Sequence, residues 1–162
     1  MAALRVLAVA VATGRIGYVF LRGGELCDWA LSRKASRSPK AAAKQTQQWI
    51  DELKPDVVVT EALPKRSRKG QRTKAIIAAI TRVAERADVL DITISAVRVC
   101  RNKYDDAKRL AEQFPEIAGW VPPKPKLWES EPRNTIYFEA LGLAAVVIDG
   151  RGKAVGFAPQ IG

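Results

Sequence analysis

Glu61 closes the run Val57-Val58-Val59-Thr60-Glu61, whose composition is that of a buried strand. Glu139 is the lone charge between Arg133 and Asp149. Both carboxylates therefore sit where the pattern predicts apolar surroundings. A buried carboxylate costs several kcal/mol unless a hydrogen bond, a cation or a metal meets it. Two chemistries satisfy that need. One is a metal site facing a polyanion. The other is a separate salt bridge for each acid, drawn from the 27 Lys and Arg of the chain. Spacing alone leans toward the salt bridges.

The absence of histidine narrows the field. It excludes Ser-His-Asp triads, histidine-ligated zinc and imidazole bases. Hydrolysis on this chain would need carboxylates, Lys, Tyr or a metal-bound water. Cys27 and Cys100 lack metal-ligand spacing and are expected to be reduced and structural.

A net charge of +10 points to an anionic partner, and nucleic acid leads, because phosphate neutralisation dominates such binding. The charge is also concentrated. Lys65, Arg66, Arg68, Lys69, Arg72 and Lys74 fall within residues 64–74, which contain no acid. This stretch follows Glu61 directly and is expected to contact phosphates beside it. Trp120 and Trp128, with Lys124, Lys126 and Arg133, mix aromatic and basic groups that can stack unpaired bases. Packing of both tryptophans against the core is the favoured reading, as it is for Tyr18 and Trp29.

These residues need a scaffold. Residues 4–12, 16–21 and 26–31 read as three strands joined by the tight turns Thr13-Gly14-Arg15 and Arg22-Gly23-Gly24-Glu25, hence antiparallel. Ser38 and Pro39 open a helix with Ala42, Thr46, Trp49, Ile50 and Leu53 on one face, which ends at Lys54-Pro55. A fourth strand spans 56–61, a helix 73–87, a fifth strand 89–96 and a charged helix 102–114. Residues 115–128 read as an irregular loop, and Glu131-Pro132 opens the last helix, which runs to about Val147. Helical crossovers make the later strands parallel. The expected product is an α/β domain over 1–150, a mixed five-stranded sheet flanked by helices, with a tail over 151–162. The apolar start lacks the flanks of a signal peptide, and no run is long enough to span a bilayer, so a cytoplasmic protein is expected.

This order and three segments resemble the RNase H-like superfamily, and within it the RuvC-type Holliday junction resolvases. The segments are Val6-Leu7-Ala8-Val9-Ala10 followed by Thr13-Gly14-Arg15-Ile16-Gly17-Tyr18, then Pro55 to Glu61, then Phe138-Glu139-Ala140-Leu141-Gly142-Leu143-Ala144. Asn102-Lys103-Tyr104 stands where the family has a Lys-bearing helix start. The resemblance implies an endonuclease acting on structured or branched DNA, with DNA favoured over RNA, and a homodimer. It implies two divalent metals, Mg2+ or Mn2+, with Glu61 and Glu139 as ligands. Lys103 and Arg133 would add nucleic-acid contacts. The family's last helix often carries a second acid one turn earlier, and Ile136 holds that place. Glu131 or Glu129 would have to substitute, or both are helix-start acids favoured by the dipole.

The main departure is Ala10. The family's central metal-bridging Asp aligns there, and residues 1–24 contain no carboxylate at all. The resemblance thus implies a nuclease scaffold that binds metal weakly and cuts poorly or not at all. Its alternative is a non-catalytic nucleic-acid-binding protein on the same fold. Retention of Glu61 and Glu139 is what an Asp→Ala knockout would leave; loss of cleavage with binding kept is the other origin.

Overall fold

The structure is a computed structural model and describes residues 3–63, 70–95, 100 and 102–149. Strands β1 (Arg5–Ala12), β2 (Arg15–Arg22) and β3 (Glu25–Ser32) form an antiparallel meander. Gly14 makes the first turn possible at φ 80°, a conformation that a side chain would strain. Helix α1 (Pro39–Leu53) follows, then β4 (Val57–Glu61), α2 (Gln71–Arg86), β5 (Leu90–Ile94), α3 (Lys103–Gln113) and α4 (Thr135–Asp149). β4 and β5 add in parallel, giving the sheet order β3-β2-β1-β4-β5. The expected mixed five-stranded sheet is the observed one.

Alternation along β1 sorts the core into two layers. Leu7, Val9 and Val11 face α1 and α2, where Trp49, Ile50, Ile77 and Ile80 meet them. Val6, Ala8 and Ala10 face α3 and α4, where Leu110, Ile136, Ala140 and Leu141 meet them. α4 is apolar nearly all round because it packs against the sheet on one side and α3 on the other. Ser38 caps α1 as expected, accepting from the Ala41 N–H at 3.0 Å. Tyr18 packs on Trp49 at 4.7 Å and donates to Asp28, in keeping with a packing role.

Several expectations need correction. The last helix begins at Thr135 rather than at Glu131-Pro132. A residue before proline is biased away from helical backbone, so Glu131 stays outside. Residues 115–128 are not wholly irregular: Pro115–Trp120 wind into 3-10 turns pinned by the buried Ile117. β5 is shorter than the 89–96 span, with residue 96 outside the described residues. Cys27 is exposed on β3, so it is no core thiol. Trp120 packs edge-on against Trp29 at 5.2 Å, but Trp128 is 80% exposed and packs on no core. Residues 151–162 lie outside the described residues. No described helix is long and apolar enough to cross a membrane.

Candidate functional site

Ala10 pairs with Gly17 on β2. On its other side β1 runs parallel to β4 in the register Val6↔Val57, Leu7↔Val58, Ala8↔Val59. Continued two residues along both strands, that register sets Ala10 level with Glu61. Gly17 pairs onward with Leu31, and Glu61 with Ile94. A row of residues thus crosses the sheet, Leu31, Gly17, Ala10, Glu61 and Ile94, all on the α3/α4 face. Glu61 is the one charge in it and is buried. The two positions the sequence singled out on different strands are therefore neighbours on one face.

α4 lies over this row. Ile136, fully buried, sits above Gly17; a Cβ built on Gly17 would stand 2.8 Å from its side chain. Glu139 follows one turn later, and its side chain is 34% exposed. The Lys103 ammonium is 4.0 Å from the Glu139 carboxylate and hydrogen-bonds Glu131. Asn102 fixes this approach by capping α3: its side-chain oxygen accepts from the Tyr104 and Asp105 N–H groups. That cap sets Lys103 as the first helical residue.

Glu131 is the hub of a cluster that sequence spacing did not reveal. Arg15, at the start of β2, donates to it at 3.0 Å, and the Thr135 hydroxyl donates at 3.1 Å. Arg15 and Glu131 are 116 residues apart, so no local pattern could pair them. Burial opposes ionisation of Glu131, but the Lys103 hydrogen bond and charge, the Thr135 hydroxyl and Arg15 outweigh it and hold its carboxyl below the ordinary range. The folded pKa is thus lower than the unfolded one. The cluster's stabilisation is full above the ordinary glutamate pKa and is lost as pH falls toward the folded value. Melting temperatures of the parent and of Glu131→Gln should accordingly differ at neutral pH and converge as pH falls from the ordinary glutamate range, about 4.3, through the lower folded value. A constant gap across that range would show that Glu131 contributes no ionic stabilisation.

The remaining sequence-selected residues divide. Arg133 is exposed at the entry to α4. Arg72 and Lys74 open α2, in the layer opposite α4, and Arg72 donates to the Arg37 carbonyl. Lys65, Arg66, Arg68 and Lys69 lie outside the described residues. Glu129 accepts from the Lys126 N–H in its own turn.

Magnesium and manganese need several oxygen ligands. Ala10 and Ile136 offer none, and Glu131 is held by Lys103 and Arg15. No three acid or thiol groups come together among the described residues. The residues present do not fit a two-metal centre.

No protein-family model matches the sequence, and neither does any curated protein. Solved structures do match. Thermus thermophilus RuvC superposes with a TM-score of 0.61 at 13% identity, over 93% of this chain and 97% of that one. The same protein in complex with Holliday junction substrate gives 0.63 at 11% identity, over 93% and 96%. Fowlpox virus resolvase with its Holliday junction DNA gives 0.60 at 13% identity, over 91% and 99%. At these identities the likeness is one of fold. It is the fold that the three sequence segments implied: this chain has the mixed-sheet, RNase H-like architecture of RuvC-type Holliday junction resolvases.

Proposed function

We propose that this chain binds branched DNA on a resolvase-type nuclease scaffold whose hydrolytic centre is broken at Ala10. The observation that carries the proposal is the row across the sheet. The β1–β4 register, carried two residues past Ala8↔Val59, sets Ala10 level with Glu61 beneath the helix that carries Glu139, and an acid at position 10 would restore the third carboxylate that the resemblance asks for. The basic balance of the chain supports DNA as partner. A four-way junction is two-fold symmetric, so two copies related by a dyad form the binding unit.

The test compares the chain with its Ala10→Asp variant on four-way junction, duplex, single-stranded DNA and RNA–DNA hybrid, each with Mg2+ or Mn2+. The parent should bind the junction in a salt-sensitive way without cutting it, and Ala10→Asp should cut it. Binding by both and cutting by neither would favour the second reading, a purely non-catalytic binder. Ile136, an apolar residue where the resemblance asks for an acid, favours that second reading. In the same assay, Lys65→Gln with Arg72→Gln should reduce the slope of log affinity against log salt by about 0.9 per lost phosphate contact. An unchanged slope would remove the basic stretch from the interface.

A further inference from the structure

Residues 126–129 form a tight turn. The Glu129 N–H donates to the Lys126 carbonyl at 2.9 Å, and the Glu129 carboxylate accepts from the Lys126 N–H at 2.9 Å. Leu127 and Trp128 occupy its two corners. Such corners ordinarily carry Gly, Pro, Asn, Asp or Ser. Here they carry two large apolar side chains, 103% and 80% exposed. Neither buries area in the core, so folding gives no reason for them.

The turn is also held in place. Pro122, Pro123, Pro125 and Pro132 stiffen the segment, and Asn134 donates to the Trp120 carbonyl at 3.3 Å, joining its two ends. The Lys126 ammonium lies 5.5 Å from the centroid of the Trp128 ring. Both acids of the loop are engaged, Glu129 in the turn and Glu131 with Lys103 and Arg15. Lys124, Lys126 and Arg133 face solvent. A rigid, exposed indole in a cationic setting suits a partner that is flat, apolar and anionic at once.

We infer that Trp128 is a stacking platform for an unpaired nucleobase, with Lys126 beside the flanking phosphate. The inference rests on the nucleic-acid reading above. Every base has a π-face, so one open indole face serves any sequence. Charge complementarity selects this occupant over an apolar protein surface, which would leave the surrounding lysines uncompensated.

The experiment uses the full chain, an end-labelled oligothymidylate and a blunt duplex at one salt concentration. Trp128→Ala should weaken oligothymidylate binding roughly tenfold or more and leave duplex binding within about twofold. Trp128→Phe should keep most of the affinity while losing the tryptophan quenching that oligothymidylate produces. Melting temperatures should not move, because the side chain is exposed. Unchanged oligothymidylate affinity in Trp128→Ala, or equal loss on duplex, overturns the inference. So does a dimer broken by Trp128→Ala with nucleic-acid affinity intact, since the tip then meets a second copy. A parent chain that binds neither probe, nor a four-way junction, fails the nucleic-acid reading itself.

Discussion

Ala10→Asp should melt on the order of 10 °C below the parent in chelator and recover much of that loss in millimolar Mn2+. Ala10 is 1% exposed and pairs with Gly17, and the β1–β4 register, carried two residues past Ala8↔Val59, sets it level with the buried Glu61. A carboxylate placed there is desolvated and stands beside a like charge. Breaking or omitting the partner of a buried charge costs about 3–5 kcal/mol. In a protein of this size each kcal/mol moves the melting temperature by about 2–4 °C. A divalent cation answers both terms at once, supplying the counter-charge and taking oxygen ligands from both strands. Binding at a hundredfold above the dissociation constant returns about 2.7 kcal/mol. Ala10→Asn supplies the control. It has nearly the same shape without the charge, so it should lose less stability and respond to neither Mn2+ nor Mg2+. Thermal melts with and without metal read this independently of any cleavage. An Ala10→Asp protein that melts low and ignores both metals would show that the carboxylates of this face do not converge.

The strands, the antiparallel meander and the parallel additions of a mixed five-stranded sheet were legible in the sequence because they are written locally. Tight glycine turns set the meander, apolar runs mark the buried strands, and crossover helices force the parallel additions. Ala10 was singled out by the resemblance rather than by local pattern, and its place level with Glu61 follows only from the register of β1 and β4. Glu131 was not legible in the same way. It reads as a helix-start acid because Pro132 follows it, yet that proline is what keeps it out of the helix. Its partners, Arg15 and Lys103, come from a hairpin turn and a helix start far away in the chain. Trp128 failed for a related reason. Composition says that a tryptophan is core, and only the turn at 126–129 shows that this one points outward. The 64–69 stretch, which carries four of the basic residues, lies outside the described residues, so its place beside Glu61 rests on sequence adjacency.

Gly17→Ala should destabilise the fold by about 1–3 kcal/mol, and removing bulk at Ile136 should relieve part of that cost. The added Cβ would meet Ile136 at 2.8 and 3.0 Å and the Ala30 carbonyl at 3.3 Å. An unstrained Gly→Ala change gains about 0.4–1 kcal/mol by restricting the unfolded chain. That gain is smaller than the overpacking penalty, because Ile136 is wholly buried and its β-branched side chain has few rotamers to escape into. Ile136→Ala alone should cost about 2–5 kcal/mol through the cavity it leaves. The double variant places a methyl in that cavity, so the two costs should fall short of their sum by about 0.5–3 kcal/mol in urea denaturation. Additive costs would mean that the two residues do not interlock. The outcome also bears on the origin of the broken site. Ile136 occupies the place where the resemblance asks for an acid, and its fit against Gly17 is a packing solution spread over two elements. One exchange at Ala10 does not produce such a fit. Strong coupling between Gly17 and Ile136 would therefore indicate a face settled into an apolar arrangement around its surviving carboxylates, rather than an intact metal centre with one ligand removed.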